Sequence, residues 1–223
     1  MDDNRFDVVV AGCGVAGLSA GVAAAEAGAR VAVVERSTRE ERGGQSRYTE
    51  AYLRMKSHRE VTDDFETHLA ENGSGAVDPE LVADAARAHG DRSPLTRALS
   101  IADPAVIERL SASAGDTIAW LEGLGARFDF LPTQFLTKSQ PRLLPVGGGE
   151  ALVEALAARA ERLDVQFFYE TAALDLVQDE RGRVNGLKVR QGGVQAVLGG
   201  EVVLACGGFE GSAEMMTRYV GPR

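Results

Sequence analysis

The chain has 223 residues, 44% hydrophobic and 26% charged, with a net charge of −9. That length and apolar content suffice for a substantial core. The acidic balance argues against nucleic acid or an anionic membrane surface as a partner, because each demands a basic face.

No run approaches the roughly 18 apolar residues of a transmembrane helix. Asp2, Asp3 and Arg5 precede the first strand, so no signal peptide is expected. Cys13 and Cys206 are too few for a disulfide framework, and His58, His68 and His89 are scattered, so no metal site is expected. A soluble, cytoplasmic protein is the plain expectation.

Asp7 to Ala11 is a short apolar run rich in β-branched residues, the pattern of a buried parallel strand. It runs into Gly12-Cys13-Gly14-Val15-Ala16-Gly17, a G-x-G-x-x-G, and then into an alanine-rich helix ending near Gly28. Gly12 suits the tight turn, Gly14 a close approach of pyrophosphate to backbone, and Gly17 close packing of helix on sheet. Amides at the helix N-terminus, from Val15 and Ala16 onward, complete a phosphate cradle. A second strand, Arg30 to Val34, closes with Glu35, 18 residues after Gly17, where a carboxylate can accept hydrogen bonds from ribose hydroxyls. With 26 glycines in the chain the motif alone is weak, but strand, helix, strand and acidic tip follow in the required order. The alternative is a merely structural turn.

A polar loop, Arg36 to Thr49, follows where an ordinary NAD-binding domain would continue into a crossover helix. Gly43-Gly44-Gln45-Ser46 within it can pass under a ring system and present amides to it, as a flavin would require; a solvated surface loop is the other reading. Arg59 to Asn72 is charged and helical, with Val61, Phe65 and Leu69 at spacing four. Asp78-Pro79 caps a helix from Glu80 to Ala88. Asp103-Pro104 starts a third helix, and a fourth carries Ile118, Trp120, Leu121 and Leu124 before Gly125. Trp120 reads as a packing residue. These helices form an insertion over about residues 59–125.

Arg127 to Leu131 reads as a strand and Pro132 to Pro145 as irregular. Gly147-Gly148-Gly149 opens a helix from Glu150 to Arg162, either as a second close approach to the cofactor at Gly148 or as a flexible entry. Strands are expected at Val165 to Tyr169 and Ala172 to Gln178, then a turn at Asp179 to Gly182 and a hairpin partner from Val184 to Arg190. A short strand at Val194 to Leu198 precedes the last one, Glu201 to Ala205. That one ends in Cys206-Gly207-Gly208-Phe209, as a sheet does where its backbone meets a ligand. The fold expected is α/β: a Rossmann-like domain over residues 1–223 with a parallel central sheet, flanking helices and an inserted β-hairpin region. Its second cofactor-contacting part spans about 145–223.

Val8-Val-Val-Ala-Gly-Cys-Gly-Val-Ala-Gly-Leu18, Glu35-Arg36, Gly43-Gly44-Gln45-Ser46 and Ala205-Cys206-Gly207-Gly208-Phe209-Glu210 together resemble the FAD-binding half of the fumarate reductase/succinate dehydrogenase flavoprotein superfamily. Within it, Glu41 to Thr49 is similar to the Arg-Gly-Gly-Asn-Ser-x-His-Thr loop of FAD-dependent tricarballylate dehydrogenases, with Gln45 and Tyr48 replacing the Asn and His. Pro145 to Val153 is also like that subfamily. The resemblance implies FAD pyrophosphate at Gly12, Gly14 and Gly17, flanked by Val15 and Ala16, and ribose at Glu35 beside Arg36. It also implies the flavin side of the cofactor at Gly43, Gly44, Gln45, Ser46 and Thr49, with Gly148 close by. A backbone contact to adenine would come from Ala173, and Ala205 to Gly208 would close over the cofactor. No histidine lies between Arg36 and Ser57, where succinate dehydrogenases attach flavin covalently, so non-covalent FAD is implied.

The implied reaction passes a hydride from a substrate carbon to flavin N5. The substrate would be a polycarboxylate such as tricarballylate, oxidised to cis-aconitate, with electrons leaving to an electron-transfer protein. In this family a capping domain and a C-terminal return segment supply the groups that clamp substrate carboxylates. Both normally follow the Gly-Gly-Phe strand, so the cap is expected to be absent here and those groups to lie beyond Arg223. No acid/base residue is assigned; Arg47 and Arg142 read as solvated arginines. Alternatives are the flavoprotein portion of precorrin-3B synthase, a fumarate or ketosteroid enzyme, an NAD(P)-binding module, and a fragment that binds FAD without turnover.

Overall fold

The computed structural model describes residues 4–64, 83–84, 87, 89–98, 104–131 and 141–221. They fall into two compact units, Met1–Ala51 with Gly147–Arg223, and Tyr52–Val146.

The first unit is built on a six-stranded sheet. In chain order its elements are β1 (Arg5–Ala11), α1 (Val15–Glu26), β2 (Val31–Val34), a 3-10 turn (Gly44–Tyr48) and, after the second unit, α4 (Gly148–Arg162), β6 (Gln166–Phe168), β7 (Thr171–Gln178), β8 (Val184–Gln191), β9 (Val194–Leu204) and α5 (Ala213–Tyr219). The strand order is β6-β2-β1-β9-β8-β7. β1 pairs in parallel with β2 on one side and β9 on the other, and β6 extends the parallel part beyond β2. β8 and β7 add the expected hairpin region as an antiparallel meander on β9, so the parallel centre becomes part of a mixed sheet.

The two short strands anticipated at the end of the chain are one. Gly199-Gly200, which reads as a break, is the point at which β9 changes neighbours. Up to Gly199 it pairs antiparallel with β8, and from Gly199 onward parallel with β1. Gly200 makes the exchange sterically possible: its φ is +152°, and a Cβ there would come within 2.8 Å of the Phe6 carbonyl oxygen.

One face of the sheet buries Phe6, Val9, Ala11, Ala32, Val34, Leu187, Val189 and Leu198. α1 packs on the other, with Gly21 lying against Val33 and Val31. α1 ends as expected, with Gly28 in the left-handed region and its amide donating to the Ala25 carbonyl. Leu156, fully buried on α4, contributes about 1.5–3 kcal/mol of apolar burial.

The second unit contains β3 (Leu53–Arg54), a 3-10 turn (His89–Asp91), α2 (Pro94–Ala98), α3 (Pro104–Gly123), β4 (Phe128–Phe130) and β5 (Arg142–Pro145). Its strands form an antiparallel sheet in the order β3-β5-β4, packed on α3 through Met55, Leu143, Ala114 and Ile118. Three expectations change here. Arg142 to Pro145 is a strand, because Pro145 is its last residue and Leu143 is buried between two partners. The third and fourth helices are one continuous α3 carrying the half-buried Trp120. Arg59 to Asp64 is not helical: the Ser57 hydroxyl accepts from the Arg59 and Glu60 amides, and Val61 bridges back to Met55. The rest of that expected helix, and nearly all of the one at Glu80 to Ala88, lie outside the described residues. Among those residues no helix is long and apolar enough to cross a membrane.

Gly115 shows why α3 continues through its small residues. A Cβ there would overlap the Arg59 backbone carbonyl. Alanine in place of a mid-helix glycine gains about 0.5–1 kcal/mol, whereas forcing extra volume into a packed contact costs roughly 1–3 kcal/mol. We expect Gly115→Ala to lose about 1 kcal/mol net, read as a lower urea midpoint. A raised midpoint would show that the helix does not approach Arg59 this closely.

Candidate cofactor-binding site

The first turn of the first unit is shaped by what its glycines touch. Gly12 has φ +108°, and a Cβ on it would collide with the carbonyl of Ala205, the residue following β9. A Cβ on Gly17 would overlap the Gly12 carbonyl oxygen, so helix and turn meet backbone to backbone. The Gly12 amide donates to the Val34 carbonyl at 2.8 Å, and the Ala205 amide to the Ala11 carbonyl at 2.8 Å. The Cys206 thiol donates to the same Ala11 oxygen at 3.5 Å. The crevice above Gly12 is therefore walled by the ends of β1, β2 and β9.

α1 begins at Val15, and its Gly14 N-cap offers no side chain. The cap comes from the distant loop instead: the Val15 amide donates to the Ser46 hydroxyl at 3.2 Å. The next amides, of Ala16 and Gly17, lie in the first turn, beyond reach of any intrahelical carbonyl, and point where an anion binds. Gly14 faces this loop, since a Cβ there would sit 3.3 Å from Ser46 Oγ and 3.4 Å from the Gly43 carbonyl oxygen. Gly44, at φ +51°, and Gly207, at φ +72°, each have open space where a Cβ would be. Such a glycine-lined cradle with backbone amides suits a dinucleotide.

Glu35 is buried, and its carboxylate already holds two amides, accepting from Cys13 N at 3.0 Å and Ser37 N at 2.8 Å. An ionised carboxylate has about four acceptor positions, which leaves capacity for ribose hydroxyls. The neighbouring backbone is also fixed, with the Glu35 amide donating to the Phe168 carbonyl and the Thr171 amide to the Glu35 carbonyl. Ala173 lies two residues beyond that bond, an exposed residue of β7 paired with Val189 of β8. Arg36 is exposed beside the same strand tip.

The structure thus brings Gly12 to Gly17, Glu35, Gly43 to Ser46 and Ala205 to one region. Gln45 Nε2 approaches Gly211, beyond Gly207 and Gly208. Thr49 and Gly148 meet at the far side of the loop: the Gly149 amide donates to the Thr49 carbonyl at 2.7 Å, and a Cβ on Gly148 would lie 3.2 Å from that oxygen. Arg47 is engaged by Glu150 and Glu154, and Arg142, in the second unit, stacks over Tyr52 at 4.4 Å.

One participant escaped the sequence reading. Arg42 is buried, with its guanidinium donating through Nε and Nη2 to both oxygens of Glu154 (3.3 and 2.6 Å) and through Nη1 to Glu161 (3.1 Å) and the Tyr169 hydroxyl (2.9 Å). Burial works against its charge, yet the hydrogen bonds to Glu154, Tyr169 and Glu161 outweigh it and the guanidinium holds its proton more tightly than usual. In return Arg42 keeps the Glu154 carboxyl below the ordinary carboxylate range. Its signal in the sequence was Glu150, Glu154 and Glu161, at spacings that share one face of a helix.

Cys13, in the middle of the motif, is fully buried, and burial with the adjacent Glu35 carboxylate pushes its thiol up to about 12. Only a thiolate attacks a thiol reagent, and Cys206 is exposed. Near pH 8 we expect one of the two cysteines to react quickly with a disulfide reagent in the native chain and both after denaturation. Fast reaction of both in the native state would contradict the burial of Cys13.

The family described as FAD binding domain matches residues 7–222 of the chain. The vinyl phenol reductase of Lactiplantibacillus plantarum is 24% identical over 218 residues, covering 96% of this chain and 40% of that protein. The fumarate reductase (cytochrome) of Shewanella frigidimarina is 25% identical over 226 residues, covering 96% of this chain and 35% of that protein. Among solved structures, the 3-ketosteroid-Δ4-(5α)-dehydrogenase of Rhodococcus jostii superposes with a TM-score of 0.70 at 24% identity, covering 97% of this chain and 49% of that one. That likeness establishes the fold. The chain spans less than half the length of each of these proteins. The NAD(P) alternative gives way to FAD.

Proposed function

This chain belongs to the FAD-binding-domain family of the fumarate reductase/succinate dehydrogenase flavoprotein superfamily, and on that premise we propose that it is the FAD-holding part of an oxidoreductase acting on a polycarboxylate. Tricarballylate, oxidised to cis-aconitate, is the substrate we favour. The observation that carries the reading is the meeting of the β1–α1 turn, Glu35 and the end of β9 around one glycine-lined crevice. The choice of substrate rests on the similarity of Glu41 to Thr49 and Pro145 to Val153 to tricarballylate dehydrogenases.

When bound, FAD supplies hydride acceptance at N5. The chain's own residues hold it: the turn from Gly12 to Gly17, with the free amides of Ala16 and Gly17, at the pyrophosphate, Glu35 at the ribose beside Arg36, and Ala173 at the adenine. Gly43, Gly44, Gln45, Ser46, Thr49 and Gly148 lie toward the flavin, and Ala205, Cys206, Gly207 and Gly208 close over the cofactor. With no histidine between Arg36 and Ser57, the FAD is non-covalent. Substrate clamping and acid/base chemistry are assigned to none of these residues. Electrons would leave to an electron-transfer protein in the cytoplasm.

A second reading is reduction of a carbon–carbon double bond. It is favoured by the names of two relatives, a vinyl phenol reductase and a fumarate reductase (cytochrome).

Titration of the apo chain with FAD should saturate near one equivalent, and acid precipitation should release all the flavin into the supernatant. A hydrogen bond to a charged group contributes about 1.5–3 kcal/mol, so Glu35→Ala should weaken binding at least tenfold. In the holoprotein carrying any neighbouring substrate domain, anaerobic tricarballylate should bleach the flavin. Failure to bleach, together with reoxidation of the reduced flavin by fumarate or a vinyl phenol, would reverse the assignment of direction.

A further inference from the structure

The site leaves one expensive arrangement without a role. Burying a guanidinium is costly, and an apolar residue of similar size would tether a loop at less cost. Yet the Arg42 side chain is 6% exposed, against 20% for Arg47 and 60% for Arg39. A bidentate fork does what an apolar contact does not, because it fixes orientation.

The two arginines straddle Gly43-Gly44-Gln45-Ser46. Ahead of it, Arg42 forks onto Glu154 and reaches Glu161 and Tyr169. Behind it, Arg47 donates to the Arg42 carbonyl at 3.3 Å, to Glu154 at 3.4 Å and to Glu150. All three carboxylates belong to α4. Between the clamps Gly43, at φ +113°, sits where a Cβ would lie 3.0 Å from Val153 of the same helix. The loop so held carries Ser46, whose hydroxyl meets the Val15 amide at the start of α1. Tyr169 ties the same guanidinium to the segment after β6, whose Phe168 carbonyl accepts from the Glu35 amide.

We propose that Arg42 is a positioning residue of the FAD site: its fork on Glu154, braced by Glu161 and Tyr169, sets where Gly43 to Ser46 stand over the N-terminus of α1. This rests on FAD occupying that crevice. The bland alternative is a tether that stabilises the loop with no consequence for cofactor.

Two variants separate them. Arg42→Lys keeps the charge but loses the fork, and Arg42→Met/Glu154→Met replaces the pair by apolar side chains of similar size, often neutral for stability. FAD dissociation constants from flavin fluorescence are measured beside apo-chain melting curves. We expect both variants to bind FAD roughly tenfold more weakly, the loss of about one charge-assisted hydrogen bond. The apo melting temperature should stay near that of the wild type. If the double variant does not fold, Arg42→Lys decides alone. Wild-type FAD affinity in the folded variants overturns the proposal, and failure of the wild-type chain to bind FAD overturns both it and the functional assignment.

Discussion

Gly12 and Ala205 come from opposite ends of the sequence and touch through their backbones, and the architecture of the first unit depends on that contact. A side chain at Gly12 would strike the Ala205 carbonyl, and one at Gly17 would strike the Gly12 carbonyl. The three segments can pack this closely only because two of them lack Cβ atoms. The parallel pairing of β1 with β9 carries the contact along the sheet from Val8 to Ala11. The phosphate cradle is therefore a product of tertiary structure: the turn supplies amides, and β9 closes the wall beside them.

The remaining parts are held by polar groups of graded burial. Glu35 spends part of its acceptor capacity on Cys13 and Ser37, which locks the strand tip before any ligand arrives. Ser46 serves α1 in the place of a missing N-cap side chain, so a loop residue finishes the helix that faces the cofactor. α4 receives the arginines of that loop through Glu150, Glu154 and Glu161, and buries Val153, Leu156, Ala157 and Ala160 beside them. Preorganisation of this kind reduces the ordering cost of binding.

Much of this was legible because the glycines of the first motif each answer a steric demand that spacing alone exposes. The β1–α1–β2 unit, the αL glycine after α1 and the antiparallel meander fall where the residue pattern puts them. Other features depend on partners far away in sequence. Gly199-Gly200 looks like an interruption, and only the neighbouring Phe6 backbone explains why the strand runs through it. Arg42 looks like one more solvated arginine because Glu154, Glu161 and Tyr169 are more than a hundred residues downstream. In the second unit, prolines flanking Arg142 to Leu144 masked a central strand. A spacing of four at Val61 suggested a helix beginning at Arg59, where the Ser57 hydroxyl instead holds a turn over Arg59 and Glu60.

A crystal structure of the chain grown with FAD tests the central claim most directly. The account predicts the pyrophosphate within hydrogen-bonding distance of the Ala16 and Gly17 amides, a ribose on Glu35, and the backbone of Ala205 to Gly207 against the dinucleotide. FAD bound elsewhere, or a crevice above Gly12 closed by side chains in the complex, would contradict it.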